Sequence, residues 1–185
     1  MATDRSTCNT RPPHPGWLRI LFFGLAALSL GEPMRQHADA LASADSPLGI
    51  LSLQLVWDAD VAARMLAAWG PEGRSQALLS LAWDCPFALA YGLALASLGK
   101  RLAHASQGSW LAVFLSLAPL AAACLDLAEN AFHGWLILDF PATGTASLAA
   151  PACLCALAKW GLLVAWLMAS LGLAARRALL FLTRR

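Results

Sequence analysis

Four long apolar segments constrain the fold of this chain more than any other feature. They lie at about 17–31, 75–98, 110–138 and 150–174. A helix needs about 20 residues to cross the roughly 30 Å hydrocarbon core of a bilayer, and the last three segments are long enough. Because lipid offers the backbone no hydrogen-bond partner and the segments lack the alternation of barrel strands, each should be an α-helix. The sequence therefore predicts an all-α polytopic membrane protein, a four-transmembrane-helix bundle.

Composition agrees with a chain that contacts a lipid bilayer. It is 59% hydrophobic and 13% charged, whereas about a quarter of the residues in a soluble domain are charged. No basic patch is interleaved with aromatic residues, so we expect no nucleic-acid partner.

The placement of basic residues predicts the topology. The connection 32–74 carries three arginines against six acids, and the connection between the last two segments has neither lysine nor arginine. The other side collects Arg5, Arg11, Arg19, Lys100, Arg101, Arg176, Arg177, Arg184 and Arg185. By the positive-inside rule both termini are cytoplasmic in a multi-pass protein of the inner (plasma) membrane. The domains are then a tail at 1–16, a membrane domain at 17–175 and a basic tail at 176–185.

Segment 17–31 has an alternative interpretation as a cleaved signal peptide. A basic start precedes an apolar core at 20–30, and Ala40-Leu41-Ala42 has the pattern of a cleavage site. We favour a retained span because the spacer between the apolar core and that site is long.

The connection 32–74 contains a short amphipathic helix, predicted to lie outside. Asp58 or Asp60 can cap its start, and Gly70-Pro71 ends it. One face at helical spacing carries Val61, Met65, Leu66 and Trp69. We expect this face to pack over the helix ends or to lie on the membrane surface rather than to bind a partner.

Charged residues inside the apolar segments point to a shared polar site. Asp84 and Lys159 lie about 13 Å from the outer ends of their segments, and Asp126 about 18 Å. Buried charges in membranes normally face the bundle interior. We therefore expect these three residues, from three helices, to meet in the outer half of the bilayer.

Segment 110–138 carries most of this polarity. Asp126, Glu129, Asn130 and His133 share one face of a helix. On segment 75–98 a similar stripe holds Ser80, Asp84 and the single tyrosine of the chain. The candidate ligand- or ion-binding residues are Asp84, Asp126, Glu129, Asn130, His133, Lys159 and Tyr91.

Two prolines lie near the same level. Pro86 cannot donate to the carbonyl of Ala82, and Pro119 leaves the carbonyl of Leu115 free. Each proline is therefore expected to expose an acceptor near the polar layer.

The charge count of the cluster is unbalanced, with three carboxyls against one lysine. Protonation of one or two carboxyls, a bound cation, an amine ligand or entering water would relieve it. Glu129 and His133 are weak metal candidates, because one carboxylate–histidine pair falls short of the usual ligand sets. No cofactor is implied.

The stretches WDCPFALAY (83–91), LDLAEN (125–130) and AKW (158–160), preceded by VWDADVAARMLAAWG (56–70), resemble small bacterial four-helix integral membrane proteins. The resemblance covers the chain from about residue 50. It implies one compact four-helix unit, and it implies no particular activity, cofactor or partner.

Three functional hypotheses follow. The first is binding or transport of a proton, a cation or a small amine-bearing ligand at the polar pocket. The second is a structural or accessory subunit, in which polar contacts only hold helices together; its partner would be another membrane protein or a second copy of the chain. The third is an intramembrane acid–base enzyme using Asp126, Glu129 and Lys159. We consider an enzyme the weakest hypothesis because no nucleophile–base pair or metal triad is recognisable.

Overall fold

A computed structural model describes residues 15–103, 110–141 and 145–183. Within these residues the chain forms α-helices and a short 3₁₀ helix, and no strand. The helices are α1 (Pro15–Asp39), α2 (Ile50–Gln54), α3 (Ala59–Leu102), α4 (Trp110–Leu138) and α5 (Ala149–Leu182), with the 3₁₀ helix at Thr145–Leu148. Four of them, α1, α3, α4 and α5, are long and apolar enough to cross a membrane. The predicted all-α, multi-pass architecture is confirmed.

Most of the predicted tail 1–16 lies outside the described residues, whereas most of the predicted tail 176–185 is described and continues α5 as far as Leu182. Arg5, Arg11, Arg184 and Arg185 are among the residues outside the described ranges. The cytoplasmic assignment of the termini therefore stays a prediction from charge.

Helix α1 continues well past Gly31, where the first apolar segment ends. It passes through Pro33 and stops at Asp39, which gives 25 residues and enough length to span. The added turns are polar and support one another, since Glu32 accepts hydrogen bonds from Arg35 at 2.9 Å and from Gln36 at 3.0 Å. Such pairs at i, i+3 and i, i+4 stabilise a helix that hydropathy alone would end.

The long helices pack in chain order. Helix α1 lies on α3, α3 on α4 and α4 on α5, while α5 touches α3 only slightly. Among the described residues, α1 and α5 have no extensive contact with each other. They are therefore separated along part of the bundle.

Small residues let α3 and α4 approach closely. A Cβ atom added at Gly92 would lie 2.8 Å from the Cβ of Ala123, and one at Gly99 would overlap the backbone carbonyl of Leu115. Helices in membranes commonly cross at such small residues, because the backbones can then come together.

Pro119 supplies a contact between α4 and α5. The Leu115 carbonyl that Pro119 leaves free accepts a hydrogen bond of 2.8 Å from the indole Nε1 of Trp166. The predicted free acceptor exists, and a side chain of the neighbouring helix satisfies it.

One end of the bundle, called the capped end, is covered by residues 40–58 and the first turns of α3. Asp58 caps α3 by accepting from the backbone amides of Asp60 and Val61, each at 2.9 Å. At Gly70 the backbone is non-helical (φ 63°, ψ −174°), and Pro71 restarts the helix. The predicted amphipathic helix and the second span thus form α3 with a break between them.

The amphipathic part of α3 packs over the helix ends. Its buried residues are Ala62, Met65, Leu66 and Trp69, which join a core with Leu41, Ile50, Leu53, Leu81, Leu136 and Ile137. Val61, expected on this face, is only half-buried. Trp69 anchors the cap, because its indole nitrogen donates to the Leu41 carbonyl at 3.1 Å and to Ser46 Oγ at 2.9 Å.

The opposite end, called the basic end, collects arginines from α3 and α5. The guanidinium of Arg101 lies 4.1 Å from the ring centroid of Trp17. Arg177 donates a hydrogen bond to the carbonyl of Leu102. These contacts hold the start of α1 and the last turns of α5 to the end of α3.

Candidate functional site

A buried ion-pair triad joins α4 to α5. The Nζ atom of Lys159 lies 2.6 Å from Asp126 Oδ1 and 2.7 Å from Glu129 Oε2. All three side chains are at most 4% exposed. Residues that the sequence placed at a similar depth on two helices are therefore in contact.

Two hydrogen bonds attach α3 to the same cluster. Asn130 Nδ2 donates to Asp84 Oδ2 at 2.8 Å, and the Tyr91 hydroxyl donates to Asp126 Oδ2 at 3.0 Å. Asp126 thus receives a phenol on one oxygen and an ammonium on the other. Direct contacts thus link four of the seven candidate residues, Tyr91, Asp126, Glu129 and Lys159, and the hydrogen-bonded pair of Asn130 and Asp84 lies beside them.

His133 extends this network toward the capped end. Its Nδ1 atom lies 3.9 Å from Glu129 Oε1, and the Leu53 backbone lies beside the ring. Among the described residues no hydrogen bond satisfies either ring nitrogen, Glu129 Oε1 or Asn130 Oδ1. Glu129, Asn130 and His133 are together called the enclosed tier.

The described residues add no third metal-ligating side chain to the pair of Glu129 and His133. Glu129 and His133 approach each other, but the described part of the chain contains no group of three histidine, cysteine or acidic side chains arranged to hold a metal ion.

A cleft of about 830 Å³ opens onto the other side of the network. It lies between α1 and α5 and is backed by α3, where the described residues of the two outer helices have no extensive contact. Its polar lining includes Asp84, Tyr91, Asp126 and Lys159, called here the cleft-facing tier. The members of the enclosed tier do not line it. The seven candidate residues thus divide into two groups with different surroundings.

The apolar walls of the cleft were not among the candidate residues. Phe87 and Leu95 on α3 and Trp160 and Leu163 on α5 line it. Helical spacing could have found three of them, because Phe87 and Leu95 lie four residues on either side of Tyr91 and Leu163 follows Lys159 by four residues. Nothing in the sequence indicated that Met34 of α1 and residues 47–51 would complete the lining.

The charge imbalance of the cluster is concentrated at Asp84. Lys159 is engaged by Asp126 and Glu129, whereas Asp84 is faced by the neutral amide of Asn130. In the described ranges no lysine, arginine or histidine nitrogen lies within 4.0 Å of the Asp84 carboxyl. A buried carboxyl at the cleft wall therefore lacks a cationic partner among the side chains that the structure describes.

A scan against protein-family models and searches of curated proteins and of solved structures returned no match.

Proposed function

We propose that this multi-pass membrane protein binds an amine-bearing organic molecule in the cleft, with its ammonium group against Asp84. The observation that carries the proposal is the buried Asp84 carboxyl, which lines the cleft without a cationic partner among the described residues. A carboxylate in an apolar interior is costly unless it is paired. A ligand ammonium would supply the missing charge.

The charges around Asp84 favour a cation over an anion. When all groups are ionised, the three carboxylates and Lys159 leave two negative charges in the cluster. Both carboxylates beside the Lys159 ammonium lie within 2.7 Å of it, so it has little capacity for an anionic ligand. Arg35 also lines the cleft, and its guanidinium is paired with Glu32. An ammonium placed at Asp84 therefore meets complementary charge.

The size of the cleft favours an organic molecule over a bare ion or a proton. Small-molecule sites typically enclose about 300–1,000 Å³ behind mostly apolar walls with a few polar groups. The cleft, at about 830 Å³, falls in this range. Phe87, Tyr91 and Trp160 also add aromatic rings to the lining, and such rings attract cations.

Calorimetric titration of the protein in lipid nanodiscs with butylammonium tests the proposal. We expect saturable binding, weakened about tenfold to a hundredfold in Asp84→Asn, because a charge-assisted contact is lost. Asparagine preserves the shape of the side chain and can still accept from Asn130, so the variant should fold.

Two controls make this test specific. Asp60→Asn neutralises an exposed acid outside the cleft and should leave the affinity unchanged. Butanol matches the alkyl chain without the charge and should bind far more weakly. Equal affinity of Asp84→Asn and the unmodified protein, or equal binding of butanol and butylammonium, would disprove the proposal.

A further inference from the structure

We infer that the ligand is a single-chain amphiphile whose amine contacts Asp84 and whose hydrocarbon chain lies along the cleft, entering sideways from the bilayer between α1 and α5. The inference rests on the proposed function and names the class of amine. It depends on the length of the cleft, the apolar residues at its basic end and the position of its opening.

The cleft is elongated along the bundle axis. On α3 its lining runs from Ser80 to Leu95, which corresponds to about 22 Å at 1.5 Å per residue. This is most of the roughly 30 Å hydrocarbon thickness of a bilayer. A small polar amine would fill only a fraction of such a groove, whereas an extended alkyl chain has the matching shape.

The end of the groove nearest the basic end is apolar. Asp84 and Lys159 mark the charged level, and from Asp84 to Leu95 the groove continues for about 16 Å toward the basic end. Beyond Tyr91 this stretch is lined by Leu95 and Leu163. An alkyl chain that runs from a charged head at Asp84 toward the basic end passes Tyr91 and ends between the apolar side chains of Leu95 and Leu163.

The opening favours entry from lipid over entry from water. At the capped end, Leu48, Ile50, Leu51 and Gln54 cover the cleft. Along its side, α1 is packed on α3 and, among the described residues, has no extensive contact with α5. Apolar residues of α1 such as Leu21, Phe22 and Leu25 are more than half exposed, as expected for a helix surrounded by lipid. The side between α1 and α5 thus faces the bilayer interior.

The experiment compares butylammonium with dodecylammonium in nanodiscs, after subtraction of partitioning into protein-free nanodiscs. We expect dodecylammonium to bind at least about tenfold more tightly, since each buried methylene contributes about fourfold. Leu95→Trp fills the apolar end of the groove and should weaken dodecylammonium by about tenfold or more while leaving butylammonium nearly unchanged.

Matched variants guard against a trivial loss of folding. Leu93→Trp places the same ring two residues away on an exposed face outside the cleft and should change neither affinity. Leu163→Trp blocks the groove from α5, with the exposed Val164→Trp as its control. If Leu95→Trp lowers the unfolding midpoint, the α5 pair decides the outcome.

The outcomes separate the two proposals. Equal corrected affinities for the two amines, or dodecylammonium binding insensitive to both groove-filling variants, would overturn the amphiphile while leaving Asp84-dependent amine binding intact. Loss of the Asp84 dependence for butylammonium would instead overturn the proposed function itself.

Discussion

The two tiers of the polar network differ in their surroundings although α4 contributes to both. The cleft-facing tier holds Asp126, whose oxygens are both hydrogen-bonded, and it borders about 830 Å³ of space. The enclosed tier begins one turn later on the same helix, and several of its polar atoms lack partners among the described residues. Burial alone therefore does not distinguish the residues that border the cleft from those enclosed among the helices.

Lys159 connects the tiers, because its ammonium contacts Asp126 in one and Glu129 in the other. We expect the enclosed tier to act mainly on stability, as the structural hypothesis proposes for the whole cluster, and the cleft-facing tier to act on ligand affinity as well. The following variants test that difference.

The largest effect is expected from Lys159→Met, which removes the shared cation. Two buried carboxylates then lose their partner, and breaking a buried ion pair in this way costs about 3–5 kcal/mol. Reversible unfolding of the reconstituted protein by sodium dodecyl sulfate measures the change in the free energy of unfolding.

Lys100→Met is the matched control for this variant, since Lys100 is exposed at the basic end. It should shift the free energy of unfolding very little. A loss below about 1 kcal/mol for Lys159→Met, the size expected of a surface pair, would show that the triad does not hold α4 to α5.

An intermediate effect is expected from Glu129→Gln. This change removes the carboxylate charge of the enclosed tier, and Lys159 remains paired with Asp126. Loss of a charge-assisted contact should lower the free energy of unfolding by about 1.5–3 kcal/mol. Butylammonium affinity should fall less than in Asp84→Asn, because Glu129 does not line the cleft.

Glu72→Gln, at an exposed acid, controls for the loss of one carboxylate. If Glu129→Gln reduced butylammonium affinity as much as Asp84→Asn, the distinction between the tiers would be wrong.

The smallest effect is expected from Tyr91→Phe. This change removes the hydroxyl that donates to Asp126 and keeps the ring beside Phe87, whose centroid lies 5.4 Å away. Loss of one neutral donor should lower the free energy of unfolding by about 0.5–1.5 kcal/mol. A double-mutant cycle with Asp126→Asn should recover most of that loss as coupling; independent effects would argue against the hydrogen bond.

Much of the candidate site could be predicted because helical phase and depth are properties of the sequence. The phase of α4 placed Asp126, Glu129, Asn130 and His133 on one face, and counting from the segment ends aligned Asp126 with Asp84 and Lys159. The pairing within the cluster could not be predicted. Whether Asn130 would face Asp84, or Lys159 would join Asp126 to Glu129, depends on helix rotation and spacing.

Hydropathy was less informative where polar side chains support a helix. It placed the end of the first segment at Gly31, whereas contacts of Glu32 with Arg35 and Gln36 accompany the continuation of α1 to Asp39. At the capped end, periodicity identified most of the buried face of the amphipathic helix. Its attachment through Trp69 to Leu41 and Ser46 joins positions far apart in the chain, which a local pattern does not reveal.

The sequence by itself determined the helical class, the four spans and the presence of a buried acidic layer, because the bilayer permits few ways to satisfy a backbone and strongly penalises isolated charge. Tertiary structure alone decided that α1 and α5 stand apart beside α3 and leave a cleft next to Asp84. That outcome depends on how closely small residues let α3 and α4 approach and on which helix packs against which. Such contacts join distant parts of the chain, and no periodic pattern within one helix encodes them.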